Sequence, residues 1–187
     1  IDTFVYDLTQ TPTANNFGNF TYTNMDEFKA SSFGTDTIPA FVDYVEGIYV
    51  GYKFYETAAA EGLIDYDKTV VYPFGRGLSY TTFTQTLNSV TEADGTISVD
   101  VTVTNTGSAA GKEVVEVYYN PPYTNGGIEK ASANLIGFAK TSELAPGASE
   151  NVTVTFNAED MASYDTYGKG CYVLEKGDYV ISINADS

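Results

Sequence analysis

The chain has 187 residues, 43% of them hydrophobic, and its 25 acidic against 9 basic residues leave a formal charge of −16. That charge repels phosphate backbones and anionic lipid surfaces, which excludes nucleic acid as a partner and leaves neutral partners such as sugars open. Histidine is absent and Cys171 is the single cysteine, which removes Ser-His-Asp chemistry, the commonest zinc ligand and any intrachain disulfide, so no cofactor or metal is predicted. No apolar run approaches the ~20 residues of a bilayer span, so no membrane partner is predicted either. Ile1 opens the chain with no Met and no signal-like apolar core, which predicts a piece of a longer polypeptide.

Residues 1–40 scatter Phe4, Tyr6, Phe17, Phe20, Tyr22, Phe28 and Phe33 among Thr, Asn, Ser and Gly. Alternation over residues 1–8 predicts one short strand; the rest lacks periodicity, and structureless stretches of this length predict draping over a surface absent from the chain. Without that surface Phe17, Phe20, Phe28 and Phe33 are expected to stand exposed. Over residues 41–62, Val45, Ile48, Tyr49, Tyr52 and Tyr55 fall at helical spacing, and good helix formers run up to Gly62 as a C-terminal stop, predicting a helix over 52–61. Ile48, Val50, Tyr52 and Phe54 also alternate, so a strand stays open for that part.

The stretch Tyr72-Pro73-Phe74-Gly75-Arg76-Gly77-Leu78-Ser79-Tyr80-Thr81-Thr82-Phe83 packs two glycines, a proline and four aromatics into twelve residues. It predicts a buried, sharply turning junction. Beyond it the pattern switches to period two: a run over 83–90, then Ile97/Val99/Val101/Val103, Val115/Val117/Tyr119, Leu135 to Phe138, Val152/Val154/Phe156, and Tyr172 to Leu174 with Tyr179/Ile181/Ile183 as the last pair. About seven short strands at this spacing predict a β-sandwich, with one helical turn over 158–162.

Glycosidase chemistry needs two carboxyl groups facing one pocket. Glu46, beside Gly47 and amid aromatics, is the acid with the most buried-looking surroundings, either an acid of raised pKa or a carboxylate accepting backbone N–H bonds at a turn. Asp43, Asp65 and Asp67 read as turn residues. Gly75-Arg76-Gly77 lacks the lysine and the strand-to-helix context of a phosphate loop, so it reads as a turn, with Arg76 either solvated or paired to an acid on a neighbouring domain. Cys171 reads as a small apolar strand residue, and the sixteen tyrosines read as core and junction packing more economically than as sugar platforms. Asn19-Phe20-Thr21 and Asn151-Val152-Thr153 match the glycosylation sequon.

The order Tyr44-Val45-Glu46-Gly47-Ile48-Tyr49-Val50-Gly51-Tyr52-Lys53-Phe54-Tyr55, then the junction, then the strand-rich half closely resembles glycoside hydrolase family 3 enzymes of the β-glucosidase type. Leu135-Ile136-Gly137-Phe138-Ala139-Lys140 followed by Leu144-Ala145-Pro146-Gly147 resembles that family's fibronectin type III-like domain. The resemblance covers nearly all of residues 40–187. Arg76 stands where the family more often has an aromatic or histidine, and Glu129-Lys130-Ala131 replaces a common Arg-Pro, departures that bear on substrate preference. Asn120-Pro121-Pro122-Tyr123-Thr124-Asn125-Gly126-Gly127 is similar to members from Gram-positive anaerobes, some of which carry their domains in swapped order. The family's aspartate nucleophile and glutamate acid/base match no position here, so no catalytic residue is carried over.

The resemblance implies a mainly β chain: a fibronectin type III-like or immunoglobulin-like sandwich over residues 83–187, preceded over 1–82 by an incomplete, loop-rich closing segment of an α/β sandwich domain. It implies a non-catalytic structural role in a hydrolase of terminal β-D-glucosyl residues. The expected partners are the barrel and the rest of the α/β domain, with a β-glucoside or oligosaccharide as ligand. Glu46, Arg76 and Tyr123 are the candidate substrate-binding residues. Two other readings remain open: a carbohydrate-binding module using Tyr118, Tyr119, Tyr123 and the 120–133 loop, and a cell-surface spacer.

Overall fold

The computed structural model describes Phe4–Val5, Ala30–Ser32, Thr35–Thr37 and residues 46–187. Phe17, Phe20, Tyr22, Phe28, Phe33, Asp43 and the first sequon lie outside the described residues. Of the strand expected over residues 1–8, β1 (Phe4–Val5) is described. The short strands β2 (Ala30–Ser32) and β3 (Thr35–Thr37) form an antiparallel hairpin.

Residues 46–82 begin with a turn in which the Tyr49 N–H donates to the Glu46 carbonyl at 2.9 Å. Helix α1 (Tyr52–Ala60) follows. It stops as expected at Gly62, whose φ of +71° admits glycine without strain. The Gly62 N–H donates to the Ala59 carbonyl and the Leu63 N–H to the Ala58 carbonyl, which closes the helix end in a Schellman arrangement. The sequence missed what comes next: a single turn, α2 (Tyr66–Thr69), N-capped by Asp65, then β4 (Val70–Tyr72), which pairs antiparallel with β1.

The rest is strand. β5 (Phe83–Ala93), β6 (Thr96–Asn105) and β9 (Ser149–Asn157) make one antiparallel sheet in the order β5-β6-β9; β7 (Val114–Asn120), β8 (Asn134–Lys140) and β12 (Val180–Asn184) make the other in the order β12-β7-β8. β5 turns into β6 through Asp94-Gly95, both at positive φ, the geometry that matches hairpin twist. A 3₁₀ turn (Ala158–Met161) sits where a helical turn was expected. The hairpin of β10 (Ser163–Tyr164) and β11 (Tyr172–Val173) corrects one expectation: the Tyr172 run pairs with β10, while the Val180 run pairs with β7, so the two do not pair with each other. Periodicity finds strands but carries no partner information.

The core follows from the alternation. Val99, Val101 and Val103 from β6 and Val115 and Val117 from β7 are fully buried between the sheets, with Ile97, Val152, Val154 and Phe156 around them. A Cβ on Gly137 of β8 would lie 2.7 Å from Val154 Cγ1, so glycine lets the sheets close there. The outward residues of the first sheet form polar cross-strand pairs: Thr102 Oγ1 donates to Asn151 Oδ1 at 2.8 Å, and Asn88 Nδ2 to Asp100 at 3.0 Å. Asn151, in the second sequon, is thus an exposed strand residue.

The junction corrects a second expectation. It turns, but Leu78 and Tyr80 are each 98% exposed, because nothing among the described residues covers them. Cys171 corrects a third: it lies exposed in the turn leading into β11, its carbonyl accepting from the Asp165 N–H, and is no core residue. The tyrosines divide, Tyr55, Tyr118 and Tyr119 being buried while Tyr80, Tyr167 and Tyr172 stand out.

Candidate functional site: the face where the helix meets the sandwich

β7 is buried on both sides. Its odd positions fill the sandwich core; on the other side Tyr118 is 2% exposed beneath the segment that precedes the sandwich. Tyr52, at the start of α1, stacks on Phe74 with ring centroids 4.8 Å apart and meets Tyr118 edge-on at 6.0 Å. Its hydroxyl accepts from the Leu135 N–H at 2.8 Å, and one turn on, Thr57 Oγ1 accepts from the Ser132 N–H at 2.9 Å. The Ser187 N–H donates to the Phe74 carbonyl, tying the last residue to the junction.

Below Tyr52 lies Glu116, whose carboxylate accepts from the Tyr118 hydroxyl at 2.6 Å. Burial pushes the Glu116 carboxyl above the ordinary range, the Tyr118 hydroxyl pulls it back and the Asp186 charge pushes again. Burial and then Glu116 raise the Tyr118 phenol well above its usual range. Glu116 is half-buried, and Gly75 (φ +84°) packs close to it: a Cβ there would sit 2.8 and 2.9 Å from its two oxygens. Tyr66 lies near Glu56 and Ser187, its phenol raised by burial first and Glu56 second. This acidic patch is packing, and it offers no pair of carboxylates facing an open pocket.

The candidate residues from the sequence are scattered. Glu46 is half-buried and opens the turn before α1. Arg76 is exposed; its N–H donates to the Pro73 carbonyl at 3.2 Å in the turn expected there, and its guanidinium carbon lies 5.7 Å from the centre of the Tyr72 ring. Tyr123 is half-exposed on the loop after β7. Tyr118 and Tyr119 are buried, so the platform expected for a binding module loses two of its three rings.

What the sequence missed is Tyr49 as a partner for Tyr123. Both line a cleft of about 480 Å³ between α1 and the 120–132 loop, together with Asn120, Asn125, Thr57 and Ser132. Helical spacing marked Tyr49 as one of a stripe, and nothing local announced the loop opposite. A second cleft of about 530 Å³ lies beside the β10–β11 turn. Two of its three acids are engaged: Asp165 accepts from the Gly168 and Lys169 N–H groups at 2.8 Å each, and Glu175 pairs with Lys130. Among the described residues no cluster of acids and Cys is arranged to hold a metal ion, and no helix is long and apolar enough to cross a membrane.

Residues 113–187 match the fibronectin type III-like domain family. β-Glucosidase A of Butyrivibrio fibrisolvens is 42% identical over 74% of the chain, and a β-glucosidase of Ruminococcus albus 36% identical over 99% of it. Among solved structures, a β-glucosidase from Paenibacillus barengoltzii covers 99% of the chain at 34% identity with a TM-score of 0.73, and a β-glucosidase from Kluyveromyces marxianus in complex with glucose covers all of it at 30% identity and 0.75. The chain spans 18% and 17% of the length of those two curated relatives, and 18% and 19% of the two solved chains. The chain therefore belongs to glycoside hydrolase family 3 of the β-glucosidase type, as the portion that carries the fibronectin type III-like domain.

Proposed function

We propose that this chain is the non-catalytic bracing portion of a family 3 hydrolase, with residues 1–82 closing an α/β sandwich domain and residues 83–187 holding that segment against the rest of the parent. The parent on this reading removes terminal non-reducing β-D-glucosyl residues by a retaining mechanism with two carboxyl groups. The observation that carries it is the arm at residues 77–80. Leu78 and Tyr80 are each 98% exposed, yet the arm is fixed at both ends, by the Pro73–Arg76 turn before it and by buried Thr81 after it. Apolar side chains presented on a tethered arm fit a surface that another part of the parent covers. The relatives' names as β-glucosidases and the small share of their length that this chain spans support the same reading.

The test is hydrolysis of nitrophenyl β-glucoside by the chain alone and by the chain mixed with the barrel-containing portion of the parent. No turnover alone and turnover on mixing is the expected result, with the L78D/Y80D double variant failing to restore activity. Turnover by the chain alone overturns the reading and directs attention to Glu46.

A further inference from the structure

We propose that the cleft between Tyr49 and Tyr123 is a subsite for a neutral saccharide, a β-linked gluco-oligosaccharide lying with its ring faces on the two tyrosines. Its volume of about 480 Å³ lies inside the ~300–1,000 Å³ range of small-molecule clefts. The walls come from separate elements, Tyr49 from the turn before α1 and Tyr123 from the loop after β7. Tyr49, Tyr123 and Glu61 line one opening, and burial, to which Glu129, Tyr123 and Glu61 add, raises the Tyr49 phenol. Pro121, Ala60 and Ala131 provide apolar surface, and the Asn120 and Asn125 side chains stand beside it.

The loop is built to hold its shape. Lys130 is buried, its side chain 2% exposed, and its ammonium donates to the Pro122 carbonyl at 2.5 Å while pairing with Glu175. Thr124 and Gly127 close a turn at 2.9 Å, and Ser132 is bonded to Thr57. The buried Lys130 ties the start of the loop, at Pro122, to Glu175 before β12.

The chemistry selects the ligand class. Aromatic faces with amides and hydroxyls at the edge match a ring with apolar faces and a hydroxyl rim. The cleft's cation, Lys130, is already paired, and its acid, Glu61, repels anions, so phosphorylated or acidic sugars are disfavoured. The choice of a β-linked gluco-oligosaccharide rests on the proposed function; the cleft and its neutral-sugar chemistry do not.

The experiment is a titration of the isotope-labelled full chain with cellotetraose, followed by amide chemical shifts. Saturable shifts at Thr57, Tyr123 and Asn125 are expected, with affinity about tenfold weaker in Tyr123→Ala and in Tyr49→Ala. Tyr123→Phe keeps the ring and retains most of the affinity, and Tyr167→Ala, at the other cleft, leaves it unchanged. Thermal unfolding of each variant shows whether it is folded. Absence of shifts at ~10 mM ligand, shifts confined to other surfaces, or equal response to choline chloride each overturns the proposal. A chain that restores hydrolysis on mixing but ignores cellotetraose sinks this inference alone, and binding without complementation sinks the bracing role alone.

Discussion

In the sandwich, β6, β7 and β9 bury an alternating set of valines between the two sheets, and partly buried side chains of β5, β8 and β12 pack against them. In residues 46–82 a nine-residue helix and a turn lean on groups that belong to the sandwich: Tyr52 reaches the Leu135 N–H, Thr57 reaches Ser132, and Gly75 rests on Glu116. An isolated helix that short is marginal in water, so its order is borrowed from tertiary contacts. The difference teaches that the sandwich is the template and the preceding segment its client. Loss of the segment is expected to leave the sandwich core intact, whereas loss of the sandwich is expected to deprive α1 of the bonds its Tyr52 and Thr57 make.

The deepest way to break this relation is Asn105→Ala. Asn105 is 0% exposed; it accepts from Thr81 Oγ1 at 2.7 Å and from the Gly107 N–H at 3.0 Å, and donates to the Ala109 and Leu144 carbonyls at 2.8 Å each. It pins the end of β6, and through Thr81 it fixes the point where the two regions join. Truncation orphans several buried groups and is expected to destabilise by about 3 kcal/mol or more. With both regions unfolding as one unit, that lowers Tm by roughly 2–4 °C per kcal/mol, measured by thermal unfolding. Both regions lose order together. Val99→Ala is next, expected to cost about 2 kcal/mol by leaving a methyl-lined cavity between the sheets. It moves the sandwich Tm while α1 stays docked below the transition, which hydrogen exchange of the Tyr52–Ala60 amides resolves.

These two positions also mark how far the sequence could be read. Val99 was legible, because alternation in a strand buried on one side needs no knowledge of the partner strand. Asn105 was legible as the start of a turn, where its side chain bonds Gly107 and Ala109, but its side-chain bonds to Thr81 and Leu144 span 24 and 39 positions, and no local pattern encodes those. The junction motif announced the turn at Gly75 yet misled about Leu78 and Tyr80, since burial depends on what lies opposite and composition does not say what that is. The cleft was half legible: Tyr123 stood out on a Pro- and Gly-rich loop, while Tyr49 joined it through the docking of α1, a tertiary event.

A smaller effect separates the two regions more cleanly. Gly75→Ala must hold an alanine at φ +84° with its Cβ within 3 Å of the Glu116 carboxylate, at a cost of about 1–2 kcal/mol. The strain falls on the contact between the regions. Faster exchange at Tyr52–Ala60 with unchanged protection in β6 and β7 is the expected outcome. Equal loss of protection in both would mean that the sandwich depends on its client.

The smallest effect is a slope with pH. Burial raises the carboxyls of Glu116 and Glu113, with Tyr118 and Gln85 respectively opposing it. A carboxyl of raised folded pKa holds its proton where the unfolded chain has released it, so stability falls as pH rises from the ordinary carboxylate range through the folded pKa, and is level above it. Asp65, drawn down by Lys68, works in the opposite sense but is fully exposed and screened. Comparing wild type with Glu116→Gln cancels it. The Tm of Glu116→Gln minus that of wild type is expected to grow more positive as pH rises across that window; a difference flat with pH would show that Glu116 is not strained by its burial. The Gly75 turn contributes to that burial, since a Cβ there would sit within 3 Å of both carboxylate oxygens, so part of the slope belongs to the contact between the regions. In the Gly75→Ala background, where the turn lifts from the carboxylate and water returns, the same comparison is expected to lose that part of its slope.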